Sequence, residues 1–306
     1  MPLVSVIMNV RNGARTLREA IDSVLAQTFH AWELVVWDDR STDDSATIVA
    51  EYRDARIHYY LSAEDACLGK ARTDAIRQAA GEWLAFLDQD DVWLPHKLER
   101  QLALAQDDIG LIYGRTVRFY PSGLQRDYDH AHEYKPLPEG DIFTPLFTES
   151  CFIAMSSAMF RRSAIRSIGG IPAEIRIIPD YYLYVAVARR YRARAVQEVV
   201  CRYRVHADSM SHSAALAMHH EVLWLIDRWA DQLDPQTVAA CRKRHFTLIA
   251  LDEMRSRTTF GHGIVRLLTQ GSLASQLVRP FAFVYHLARR NLRPPLWRRL
   301  SNKSSV

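Results

Sequence analysis

Hydrophobic and polar positions alternate with two different periods over the first ninety residues. Residues 3–8 (LVSVIM), 33–37 (ELVVW) and 83–87 (WLAFL) are short, nearly unbroken apolar runs, the pattern of strands buried on both faces of a parallel sheet. Residues 57–61 (IHYYL) supply one more strand. Between them lie helical stripes. Leu17, Ala20, Ile21, Val24 and Leu25 mark a helix over 16–27. Ser41 or Thr42 is placed to cap a helix over 43–52, and a third helix over 69–80 is closed by Gly81. Strand and helix thus alternate four times. Such alternation predicts right-handed crossovers and an α/β fold, a Rossmann-like mainly parallel sheet with helices on both faces.

The pattern loosens further on. A helix is expected over 95–106, a strand and hairpin over 109–120 turned at Pro121-Ser122-Gly123, and a polar loop over 126–140. A strand over 154–160, a short helix over 162–168, a helix over 180–191 and a strand over 195–205 follow. After Ser213 only helical stripes remain, over 214–233, 235–254 and 273–290, so a C-terminal helical extension over 213–306 is expected to follow a domain over 1–212.

Composition changes the picture in one respect. The 306 residues are 48% hydrophobic and 24% charged, those of an ordinary globular protein. The net charge of +4 is unevenly spread: residues 255–306 hold ten Arg or Lys and no acid, leaving the rest at −6. A basic tail on an acidic body suggests an anionic partner for the tail. The four cysteines (Cys67, Cys151, Cys201, Cys241) have no metal-type spacing and read as buried thiols of a reducing compartment. No basic n-region precedes the first strand, and no apolar run approaches the length of a spanning helix. A cytoplasmic protein is expected, free or on a membrane face.

The chemistry gathers where strands end. Ligands of such sheets bind beyond the C-terminal strand ends. Asn9 to Asn12 follow the first strand, Asp38-Asp39 the second, and Asp88, Asp90 and Asp91 the fourth. Carboxylates crowded in this way repel, and a hard divalent cation, Mg²⁺ or Mn²⁺, is their usual compensator. The plain reading is a solvated acidic turn ahead of Pro95. A dinucleotide site would need G-x-G-x-x-G after the first strand, and Gly69-Lys70 lacks a Walker frame, so neither class is supported.

The segments VSVIMNVRN, WDDRSTDDS, GKARTDAIRQAAGEWLAFLDQDD, the stretch around Asp180 and YRVHADSMS together resemble the inverting glycosyltransferases of family two, with the GT-A fold, over roughly residues 3–212. The resemblance implies transfer of a sugar from a nucleotide donor, commonly a UDP-sugar, with a divalent metal. It implies Asp90 as metal ligand, Asp88 as the first acid of the D-x-D pair near ribose and metal, and Asp91 as a holder of the loop. Asp39 takes the position that accepts hydrogen bonds from the base, and Asn9 and Arg11 that of the loop covering it, or of a plain polar turn. Arg72 matches an arginine that pairs with the acids or a phosphate. Asp180 is implied as the general base, with helix capping as its structural reading. His206 would complete the metal shell or touch the diphosphate, and Arg204 would touch the phosphates. Arg40, Thr73, Gln89 and Pro179 depart from the family pattern. Gln89 reads as harmless, while Arg40 and Thr73 leave the donor open and Pro179 the base.

The implied acceptor is a glycan or lipid-linked glycan. The basic, aromatic tail suits an anionic membrane surface, or packs on the catalytic domain with a solvated rim. No nucleic-acid module is readable. The competing class is a non-catalytic nucleotide-sugar or glycan binder, which the joint presence of Asp39, Asp88, Asp90 and Asp180 disfavours.

Overall fold

The computed structural model describes residues 3–120, 123–127, 135–149, 151–206 and 215–255. The turn residues 121 and 122, part of the polar loop, the helix expected over 273–290 and the basic tail lie outside them. The chain forms two compact units, Met1–Ser213 and Ala214–Val306.

The first unit is built on one sheet of nine strands: β1 (Val4–Val10), β2 (Trp32–Asp38), β3 (Ile57–Leu61), β4 (Trp83–Phe86), β5 (Val92–Trp93), β6 (Ile109–Phe119), β7 (Gln125–Asp127), β8 (Met159–Arg161) and β9 (Arg192–Arg204). The order is β3-β2-β1-β4-β8-β6-β9-β5, with β7 on β6. β3, β2, β1 and β4 run parallel, as the alternating pattern requires. β8 is antiparallel to both β4 and β6 and joins that half to the rest. Val4, Val6 and Met8 of β1 and Leu34 and Val36 of β2 are fully buried, and each such side chain contributes about 1.5–3 kcal/mol.

The crossovers are α1 (Leu17–Leu25), α2 (Ser45–Glu51) and α3 (Leu68–Gln78), and the later helices α4 (Lys97–Leu102), α5 (Phe143–Thr148), α6 (Arg162–Ser167) and α7 (Pro179–Ala188). The stripe of α1 faces the core: Leu17, Ala20, Ile21 and Val24 are all buried.

Several local expectations are corrected. Gly81 does not cap α3, which ends at Gln78; it is small because a Cβ there would lie 2.5 Å from the main-chain nitrogen of Ser5. The entry to α2 is held by Asp43, whose carboxylate accepts the Ser45 N–H at 3.0 Å, and not by Ser41 or Thr42. The apolar run at 154–160 is not one strand: Met155–Ser157 is a 3₁₀ turn and only Met159–Arg161 pairs in the sheet. Helix α5 emerges from a stretch with no sequence reading. The cysteines form no disulfide, but only Cys201 and Cys241 are buried, and Cys151 is exposed.

The second unit, over its described residues, contains helices Ala215–Arg228 and Pro235–Arg255 with a 3₁₀ turn at Ala230–Gln232 between them. Arg242 and Asp227 link the two helices at 2.6 Å. Among the described residues no helix is long and apolar enough to cross a membrane.

Candidate active site

β1 has β2 on one side and β4 on the other, so the loops leaving β1 and β4 part at a topological switch point. The Asp39 N–H donates to the Val10 carbonyl at 2.8 Å and the Leu87 N–H to the Ile7 carbonyl at 3.0 Å. Three polar loops therefore emerge side by side. The first two are stapled together. The Asn12 N–H donates to the Ser41 hydroxyl at 2.9 Å, the Asn12 carboxamide oxygen accepts the Thr42 N–H at 2.8 Å, and the Ala14 N–H reaches Asp43 at 2.9 Å. Asn12 and Arg40 both have positive φ, 52° and 59°. Arginine is strained in that region. The Arg40 side chain is tied to the Ala63 carbonyl at 3.1 Å.

Asp39 is buried and accepts from the Arg11 guanidinium at 3.1 Å and from the Ala66 N–H at 3.3 Å. A second Arg11 nitrogen lies 3.4 Å from Asp65. A cleft of about 420 Å³ opens here, lined by Arg11, Arg40, Ser41, Thr42, Leu61 and Asp65. Asn9, the last residue but one of β1, has its side-chain nitrogen buried and without a hydrogen-bond partner. Asp38, beside Asp39, is structural: it takes the Ser41 N–H at 2.7 Å and the Tyr59 hydroxyl at 2.8 Å.

The three acids after β4 have different environments. Asp91 is buried and spent on structure, accepting the Ser156 hydroxyl at 2.6 Å and the Arg204 N–H at 2.8 Å. Burial, then Asp90 and Asp88, push its pKa well up. Asp88 accepts from Arg72 at 3.1 Å, and its own N–H donates to Ser156 at 3.0 Å. Burial raises the Asp88 pKa, Arg72 opposes this, and the charges of Asp90 and Asp180 add to the rise. Asp90 meets His206 Nε2 at 2.7 Å.

Asp180 is brought to this group from the other half of the unit. It is the second residue of α7, after Pro179, whose ring suits a first helical turn. The N-cap is Ile178, so Asp180 is not the capping residue; it accepts the neighbouring Tyr181 N–H at 2.8 Å. The chain leading into α7 lies against α3: a Cβ on Gly69 would stand 2.7 Å from the Ile175 carbonyl oxygen. Thr73 bonds back to the Gly69 carbonyl within its own helix.

Arg204 is engaged by the protein itself. Its guanidinium donates to the Asp90 carbonyl at 2.7 Å, pairs with Glu19, and lies 4.5 Å over the Phe119 ring, so it braces the acidic loop. Ser156 has no signal in the sequence, and Gln89 shows there only as a departure from the family pattern that reads as harmless. Ser156 holds Asp88 and Asp91 at once, across more than sixty residues. Gln89 pairs with the main chain of Arg11, accepting its N–H at 2.9 Å and donating to its carbonyl at 3.1 Å.

Among the described residues no three or more His, Cys, Asp or Glu side chains form a self-sufficient metal cage. A hard cation that also takes phosphates needs only one or two carboxylates. Asp90 and His206 meet here, with Asp88 two residues before Asp90. Two polar atoms around them are buried without partners, His206 Nδ1 and Arg72 Nη1. Buried polar atoms in native proteins are nearly always paired, so a cation with a diphosphate is a group these residues fit.

The glycosyl transferase family 2 model matches residues 5–169, more than half of the chain. The chain is 40% identical, over 68% of its length and 79% of the relative's, to the UDP-Glc:alpha-D-GlcNAc-diphosphoundecaprenol beta-1,3-glucosyltransferase WfgD of Escherichia coli. Mannosyltransferase PcManGT from Pyrobaculum calidifontis, solved with GDP-Man and Mn²⁺, has a TM-score of 0.65 at 19% identity, covering 97% of this chain and 82% of its own. TarS 1-349 of S. aureus, solved with UDP-GlcNAc, has a TM-score of 0.60 at 18% identity, covering 94% and 79%. Sheet and neighbours alike are those of the GT-A fold, and the chain belongs to glycosyl transferase family 2.

Proposed function

We propose that the protein transfers a hexose with inversion from a UDP-sugar to a lipid-linked glycan, and depends on Mg²⁺ or Mn²⁺. The observation that carries this reading is the pairing of Asp88 at 3.1 Å with Arg72 of α3, the helix against which the chain entering α7 at Pro179-Asp180 is packed. A lone carboxylate from α7 thus faces the acidic loop that would hold the donor diphosphate. Single displacement asks for one general base in that position.

Each residue then has a task. Asp39 accepts the imide N–H of the uracil, a charge-assisted bond that is strong and directional. Asn9 and Arg11 line the base side. Arg72 opposes the upward push of burial on the Asp88 pKa and offers its second terminal nitrogen to a phosphate oxygen. Asp88, Asp90 and His206 would hold the cation. A divalent cation, when bound, neutralises the charge that grows on the diphosphate as the glycosidic bond breaks. Asp180 takes the proton of the acceptor hydroxyl while its oxygen attacks the anomeric carbon from the face opposite the diphosphate.

The Escherichia coli relative supports a UDP-glucose donor and an undecaprenyl-diphosphate-linked acceptor. The fold neighbours bind UDP-GlcNAc or GDP-Man, so the fold does not select the base. Residues 1–212 form the catalytic domain in this reading. A lipid-linked acceptor places the work at a membrane face, the cytoplasmic one in this reading. The ten Arg or Lys of residues 255–306 would be drawn to anionic lipid there, each worth about 1 kcal/mol near the surface.

Thermal melting with UDP-Glc, UDP-GlcNAc and GDP-Man, each with Mn²⁺ or with EDTA, tests the donor. A ligand at a hundred times its Kd stabilises the native state by about 2.7 kcal/mol. The expected result is a rise in Tm for a UDP-sugar with Mn²⁺ alone. An equal rise with GDP-Man, or one indifferent to EDTA, overturns the donor and metal assignment.

A further inference from the structure

Gln89 stands between the two acids Asp88 and Asp90, yet its side chain points to neither task. The carboxamide pairs in both directions with the main chain of Arg11, at 2.9 and 3.1 Å. Main-chain pairing of β1 with β4 ends at Ile7 and Phe86, and the Leu87 N–H makes the last strand-like bond, to the Ile7 carbonyl. The loops then part, and the Gln89 amide takes up the pairing again across the gap. The reverse amide orientation would set donor against donor, so the assignment is fixed by the contacts themselves. Gly13 makes room for it: a Cβ there would lie 2.4 Å from Gln89 Oε1 and 2.8 Å from its Cδ. Arg11 in turn holds Asp39 at 3.1 Å. A line of contacts therefore runs from Asp39 through Arg11 to Gln89, whose chain neighbours are Asp88 and Asp90.

We infer that Gln89 is a positioning residue that locks the nucleotide-base loop to the acidic loop, so that engagement of the base and of the diphosphate reinforce each other. This rests on the donor reading given above. Its role is mechanical: it touches no reacting atom and acts through the main chain of Arg11. Without the clamp, the two loops would grip their halves of a nucleoside diphosphate independently.

The test uses the full chain and four variants: Gln89→Ala, Gln89→Glu, Gly13→Ala and the double variant Gln89→Ala with Gly13→Ala. Calorimetry gives Kd for uridine and for UDP with Mn²⁺, and steady-state transfer gives kcat and KM. In Gln89→Ala and in Gly13→Ala the advantage of UDP over uridine should fall about tenfold, within the range of typical coupling between sites. Gln89→Glu keeps the acceptor for the Arg11 N–H and loses the donor, so it should fall between wild type and Gln89→Ala. The double variant should be no worse than either single one, because both remove the same contact.

A merely structural role would lower the folded fraction and leave the UDP-to-uridine ratio unchanged, and that result overturns the inference. Additive losses in the double variant overturn it as well. Wild-type protein that binds neither uridine nor UDP defeats the donor reading and this inference with it. Wild type that binds UDP, matched by all four variants, defeats the inference alone.

Discussion

Arg72 reaches Asp88 across 3.1 Å from a position on α3 where its own side chain is only 4% exposed, while that of Asp88 is 36% exposed. The cation is inside and the acid is at the rim. A buried charge is retained only where it is paired, and Arg72 has a second terminal nitrogen without a partner. In the function proposed above, an oxygen of the donor diphosphate would take that nitrogen.

Replacing Arg72 separates these roles. Arg72→Lys should fold, but a single ammonium cannot serve Asp88 and a phosphate together. Its kcat/KM should fall about 10–100-fold, mainly through donor KM, as steady-state transfer measures. Arg72→Met should in addition cost about 1–3 kcal/mol by denaturant unfolding, less than for a fully enclosed pair because Asp88 is partly solvated.

Asp180 carries the proton transfer in this account. Asp180→Asn preserves the shape of the first turn of α7 and removes the basic oxygen. Donor affinity by calorimetry should stay near wild type, while kcat should fall about 10²–10⁴-fold. A normal rate in this variant would assign the base elsewhere.

Lys97 gives a pH signature independent of the site. Its side chain is fully buried, bonds Gln101 at 2.7 Å and lies 4.0 Å over the Trp93 ring, with the Cys201 thiol nearby. Burial pulls its pKa from 10.5 down to about 7. Between those values the unfolded chain holds a proton that the native one has released, so stability rises with pH there, by at most about 1.4 kcal/mol per unit. Below pH 7 both states are protonated and this contribution is flat. Urea unfolding of Lys97→Met should lack the rise between pH 7 and 10.5 that wild type shows, so wild type should gain stability relative to the variant as pH rises.

What could be read from the sequence follows from range. β4 lies in an apolar run between Glu82 and Asp88, and the stripe of α1 repeats every three or four residues; both are local patterns that the sequence shows. Asp39, Asp88, Asp90 and Asp180 were legible as candidates through their family motifs. Ser156 is not legible, and Gln89 is legible only as a harmless departure, because their partners lie more than sixty residues away and no spacing announces them. The run at 154–160 misled for the same reason: Ser156 turns inward to hold the acidic loop, which an apolar pattern cannot express. The bracing contacts of Arg204 have no signature in the sequence, because Glu19, Phe119 and the Asp90 carbonyl are contributed by three separate segments.

The central claim is that Asp90 and its neighbours hold a divalent cation against the donor diphosphate during sugar transfer. The most direct measurement is transfer of labelled glucose from UDP-Glc to an undecaprenyl-diphosphate-linked GlcNAc, with Mn²⁺ or with EDTA, by wild type and by Asp90→Ala. Wild type should turn over with Mn²⁺ and stop with EDTA, and Asp90→Ala should be inactive in both while melting as a folded protein. Turnover by Asp90→Ala at the wild-type rate, or by wild type in EDTA, would contradict it.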